Sequence, residues 1–127
     1  MHVKRHVVTL GVNGSGALTA YTDEAVMGRV LALRYVPDGT SPLDTGADLT
    51  ITGEESGIPI LAVSDIGTSP VNWAPRQATC GITGVASLYA SGGTAVQDHV
   101  AIAGERIKVV VAQGGASKTG KLHILVG

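Results

Sequence analysis

Apolar and polar residues in this chain alternate in short runs separated by glycine, proline and asparagine, and a period of two predicts strands. Val3 to Val12 is the first run, and Asn13-Gly14 after it predicts a tight hairpin with Ala17 to Thr22 as the return strand. Met27 to Val36, MGRVLALRYV, has apolar residues at both parities, with arginines at 29 and 34, the pattern of a central strand. Asp48 to Gly53 alternates cleanly, with Leu49 and Ile51 on one face and Asp48, Thr50 and Thr52 on the other. Gly57 to Val63 contains Pro59, which cannot donate to a ladder and so predicts an edge strand or a bulge. Thr94 to Ile102 and Glu105 to Gln113 read as two further strands broken at Ala103-Gly104. Lys121 to Val126 is the last strand, expected to pair with Glu105 to Gln113 as a hairpin across the loop Gly114 to Gly120.

Seven or eight short strands, regular turn signals and no helical pattern longer than two turns predict an all-β fold. The expected architecture is an antiparallel β-sandwich, jelly-roll-like, forming a single domain over residues 1–127. Between Ser64 and Gly93 the periodicity fades, with at most one helical turn around Val85 to Ala90. This stretch is expected to be one long irregular loop, and ordered loops of that length are usually functional. In a binding protein it is the predicted contact arm.

Composition narrows the function. A chain of 127 residues can bury about two thirds of its unfolded surface and needs no staples. Its single cysteine, Cys80, excludes an internal disulfide and a thiolate cluster, and reads as a buried or half-buried inert thiol. Nine Lys and Arg against ten Asp and Glu give no bulk charge to draw nucleic acid or an anionic membrane. The opening MHVKRHVVTL has no apolar run of signal-peptide length, and no segment approaches the ~20 apolar residues of a membrane span. A soluble protein made in the cytoplasm is expected. Eighteen glycines, no phenylalanine and 15% charged residues require a core of Val, Ile, Leu and Ala, and the low charge suggests an exterior partly covered by a partner.

Several motifs resemble chemistry. Leu43-Asp44-Thr45-Gly46-Ala47-Asp48 is similar to the signature of retroviral-type aspartic proteases, β-rich homodimers in which each chain gives one Asp. That chemistry needs a rigid buried loop fed by a strand, whereas a turn, Pro37 to Pro42, precedes it here, and only Leu125-Val126-Gly127 resembles the brace. The competing reading is a turn in which Asp44 caps its own backbone. Gly115 to Lys121 spells the phosphate-binding loop G-x-x-x-x-G-K, but Leu122 stands where Ser or Thr would hold magnesium, and a strand follows instead of a helix. A polar hairpin loop is expected there. Of the four histidines only His2 and His6 are neighbours, too few for a metal site. No catalytic, cofactor or metal residue is assigned. Trp73-Ala74-Pro75-Arg76 lies in the long loop, as does Tyr89, and Trp, Tyr and Arg are the types enriched at interface hot spots. Trp73, Arg76 and Tyr89 are therefore the candidate partner-binding residues, with a cap over the domain's own core as the other reading of the Trp73 segment.

The segments RYVPDGTSPLDTGADLTITG (34–53), WAPRQ (73–77), ERIKVVVAQGG (105–115) and KLHILVG (121–127) resemble a group of small virion structural proteins of tailed bacteriophages and prophages. Similarity extends over the whole chain. The resemblance implies a capsid decoration, or cement, protein on the exterior of the virion, with the major capsid protein and further copies of itself, as dimer or trimer, as partners. It implies no catalytic motif, no small-molecule substrate and no nucleic acid. A neck, tail or fibre component of the virion is the alternative in the same setting, and the dimeric protease the alternative outside it.

Overall fold

The computed structural model describes residues 2–127, and among them every regular element is a strand. These are β1 (Lys4–Thr9), β2 (Leu18–Tyr21), β3 (Val26–Pro37), β4 (Asp48–Gly53), β5 (Pro59–Val63), β6 (Val71–Trp73), β7 (Arg76–Ala78), β8 (Gln97–Glu105), β9 (Ile107–Ala112) and β10 (Gly120–Val126). They form two antiparallel sheets packed as a sandwich. The larger has the order β1-β10-β3-β8-β7, with β6 also pairing β3, and the smaller has the order β2-β9-β4-β5.

Alternation explains which side of each strand is buried. Val8, Leu122, Ile124, Leu33, Tyr35, Val100 and Ile102 line the inner face of the large sheet, against Leu49, Ile51, Ile107, Val109 and Val111 from the small one. Each such aliphatic side chain contributes about 1.5–3 kcal/mol on burial. With no phenylalanine in the chain, Tyr35 is the largest fully buried side chain among the described residues.

β3 is central, as its sequence predicts, but its apolar residues at both parities have a specific cause. Ala32 pairs with Leu125 and Val30 with Val126, so Leu31 is an extra residue in the ladder. This bulge switches the inward parity from even (Val26, Val30) to odd (Leu33, Tyr35). Pro59 sits at the start of β5, an edge strand, beside a register shift, so both expectations for it hold.

The two expected hairpins are absent. β1 pairs with β10 while β2 pairs with β9, so the chain crosses between sheets at Asn13 to Ala17. There the Asn13 side-chain carbonyl accepts from the Ser15 and Ala17 amides at 2.9 and 3.1 Å, and the positive φ (+78°) belongs to Gly16, not Gly14. A Cβ on Gly16 would lie 2.7 Å from the Gly115 amide nitrogen, so only glycine lets the two loops touch. Likewise β9 and β10 are not a hairpin, because β9 lies in the small sheet and β10 in the large one. Both strands have a clean inward face, and either sheet satisfies that pattern equally well. The break between β8 and β9 falls at Arg106, one residue beyond Glu105 and not at Ala103-Gly104.

The stretch 64–93 is also more ordered than expected. It contains β6 and β7, isolated bridges join Cys80 to Ala86 and Leu88 to Ala95, and no helical turn occurs at 85–90. Ser87 donates its amide to the Thr79 carbonyl and accepts from the Val96 amide, so three extended passes lie side by side.

Candidate partner-binding arm and outer sheet face

From Arg76 to His99 not one residue is buried, although β7 and the ribbon beyond it satisfy many of their own amides. Glycine turns close the ribbon: Gly84 donates to Gly81 and Gly93 to Ala90. Gly84 and Gly92 take positive φ values of 83° and 69°. Three short extended passes of so small a ribbon cannot enclose a core. Its apolar side chains consequently face outward. Ile82 is fully exposed, Val85 and Tyr89 are 69% and 75% exposed, and Leu88 is 43% exposed. Between Arg76 and Asp98 the sequence has no charged residue. The element is an uncharged apolar arm standing off the large sheet.

The three candidate partner-binding residues lie on successive segments leading into this arm. Trp73 on β6 pairs with Leu33 and packs partly against the core, so it does cap the domain's own interior. It also borders a groove of about 380 Å³, together with Ala32, Arg34, Asn72, Ala74 and Leu125. Arg76 on β7 is exposed opposite His99 and donates to the Pro75 carbonyl. Tyr89 lies on the arm, its amide bonded to the Thr94 carbonyl. Ile82, Val85 and Leu88 escaped sequence reasoning, since scattered aliphatic residues in a glycine-rich stretch carry no periodic signal. Cys80 is exposed on the same arm, contrary to the expected buried or half-buried thiol, because no core lies beneath it.

A second surface is built by register alone. Side by side across β1, β10 and β3 stand Arg5, Leu125 and Ala32, then Val7, His123 and Arg34, then Thr9, Lys121 and Val36. Their intervening neighbours, among them His6, Val8, Leu122, Ile124, Leu33 and Tyr35, are buried, so these nine residues form the outer face. Burial first, and then the charges of Arg5, Lys121 and Arg34, hold the His123 imidazole below its ordinary pKa. Arg34 donates to the Asn72 side-chain carbonyl at 2.7 Å. The ion pairs of the described residues lie elsewhere: Lys4 and His6 with Glu24, His99 with Asp98, and Arg106 with Glu54.

The other sequence motifs have structural roles in this fold. Asp44 is exposed in a turn closed by the Ala47 amide donating to its carbonyl, and its own amide donates to the Gly114 carbonyl. The segment resembling a phosphate-binding loop interlocks with two others: Ser117 donates to Asn13, Val12 to Lys118 and Thr119 to Ser41. His2 is exposed and His6 buried, and among the described residues no group of three potential metal ligands occurs.

No protein-family model matches the chain, and no curated protein matches it. Among solved structures it is similar to that of FlhE, with a TM-score of 0.43 and 13% identity, covering 98% of this chain and 94% of that one. It is also similar to part of the exo-β-1,3-galactanase of Phanerochaete chrysosporium solved with galactose. There the TM-score is 0.35 and identity 13%, over 98% of this chain and 27% of that one.

Proposed function

We propose that this chain is a structural protein of a tailed-phage virion, a capsid decoration or cement protein that binds the major capsid protein lattice and stabilises the head. One observation supports the reading above the others: residues 76–99 contain no buried residue yet display Ile82, Val85, Leu88 and Tyr89. Exposed apolar groups gathered on one element mark a contact surface. The whole-chain resemblance to small phage virion proteins supplies the setting, with synthesis in the host cytoplasm and final residence on the capsid exterior.

In this reading the sandwich is a rigid mount and the arm is the grip. Several of the arm's amides are bonded within it, which lowers the backbone ordering that docking costs, while burying Ile82, Val85, Leu88 and Tyr89 supplies the affinity. Binding to the assembled lattice and not to free subunits stabilises the shell by linkage.

The test is reconstitution on capsids stripped of this protein. Wild-type chain should co-sediment with them and raise their disruption temperature, while Ile82→Asp combined with Tyr89→Asp should weaken binding at least tenfold, about 1.4 kcal/mol. Undiminished binding by that variant, or equal capsid stability with and without the protein, would contradict the reading. A copy number fitting a single connector ring would move the protein to the neck or tail.

A further inference from the structure

We propose that the basic outer face of the large sheet is a docking surface for a second copy of this chain, which enters with the acidic corner around Asp44 and Asp48. The observation begins with Arg5, Arg34 and Lys121, which surround His123 on the outer face and take no part in the ion pairs among the described residues. Like charges set this close repel one another, and a carboxylate brought between them relieves the repulsion.

The carboxylates nearest this face are already engaged: Asp38, which shares a groove with Lys121, accepts the Thr40 and Ser41 amides, and Glu24 pairs with Lys4. Net charge is only −1, so further countercharges are present, and half of the ten acids lie about the small sheet. Asp44, Asp48, Glu54, Glu55 and Asp65 all flank or belong to β4 and β5 of the small sheet. Glu54 is taken by Arg106. Packed sheets lie about 10 Å apart, so a side chain on one outer face does not reach across the sandwich to the other. Exposed Asp44 and half-buried Asp48 bracket one turn, and the Asp48 carboxylate draws in the Asp65 amide at 3.2 Å, which brings a third acid to the same corner. The basic grid on the large sheet and the acidic corner beside β4 are complementary between copies.

The basic face also has an apolar seat. The groove between Trp73 and Leu125 borders Arg34, so a docked loop meets an apolar floor beside the cations, the usual arrangement of core and polar rim. Because the two patches lie on different sides of the molecule, the contact is heterologous. Copies then join head to tail into a ring or an open array.

Sedimentation velocity of the free protein tests this without any capsid, so its outcome is independent of the role assigned to the arm. Between about 0.01 M and about 1 M salt the screening length falls from about 30 Å to about 3 Å. Wild-type protein should associate at the low end and dissociate at the high end. Arg34→Glu with Lys121→Glu should remain monomeric at low salt, and so should Asp44→Lys with Asp48→Lys. An equimolar mixture of these two double variants should associate again, since each then offers the charge that the other lacks, and this recovery also shows that both are folded. A wild-type protein monomeric at every salt concentration, association indifferent to salt, or a mixture that stays monomeric would each overturn the proposal.

Discussion

Gly120→Ala should destabilise the domain through one contact. Gly120 begins β10 opposite Pro37, and its φ lies outside the left-handed region, so alanine meets no backbone penalty there. Space is the obstacle: an added Cβ would sit 2.7 Å from Tyr35 Cε1, 3.2 Å from its hydroxyl and 3.3 Å from Cζ. Tyr35 is fully buried between the sheets, and its ring cannot bend away as a flexible chain end would. Overpacking of this kind costs about 1–3 kcal/mol. Restricting the unfolded chain returns about 0.4–1 kcal/mol, leaving a net loss of about 1–2 kcal/mol. For a domain of this size that lowers Tm by about 4–8 °C. Urea denaturation of four proteins, wild type, Gly120→Ala, Tyr35→Leu and the double variant, measures it. The alanine should cost about 1–2 kcal/mol beside Tyr35 and near zero beside Leu, where the ring is gone. An equal cost in both backgrounds would refute the steric argument.

Two further predictions use buried polar groups. Burial pushes the Tyr35 phenol upward in pKa, and although the Leu43 backbone lies close enough to offset this in part, the hydroxyl has no partner at hydrogen-bonding geometry among the described residues. Tyr35→Phe should therefore leave stability unchanged or raise it by up to about 1 kcal/mol in the same denaturation assay, and a loss above about 1.5 kcal/mol would mean the hydroxyl is satisfied. The Glu105 carboxylate accepts the Ser56 and Glu55 amides at 2.9 and 2.8 Å, which holds it below the ordinary glutamate value of 4.5. A depressed pKa contributes stability above the unfolded value and loses it as pH falls through the folded one. Wild type should thus weaken on acidification below pH 4.5, Glu105→Gln should weaken less steeply there, and parallel slopes in pH-dependent unfolding would contradict this.

The fold class was legible because period-two alternation reports burial directly: Leu49 and Ile51, or Leu122, Ile124 and Val126, announce their inward face in the sequence. Sheet membership was not. β1, β2, β9 and β10 each have a valid apolar face, and nothing local to Asn13-Gly14 or Gly114 to Gly120 tells a hairpin from a crossing between sheets. The interlocked loops decide it, through the Gly16 and Gly115 contact. The arm was legible as a departure from periodicity, and Tyr89 as an exposed aromatic, whereas Ile82, Val85 and Leu88 needed the structure to show that nothing covers them. The basic grid was invisible, because Arg5, Arg34 and Lys121 are far apart in sequence and become neighbours only through the pairing of β1, β10 and β3.

The same pairing orders events during synthesis. β10, synthesised after the other nine described strands, lies between β1 and β3 and bonds to both. Until it arrives the large sheet has a gap inside its β1 edge, with two separated strands waiting for a filler. A chain cut short by even this one segment therefore loses an interior strand and not a dispensable fringe, leaving β1 and β3 with unpaired edges facing each other.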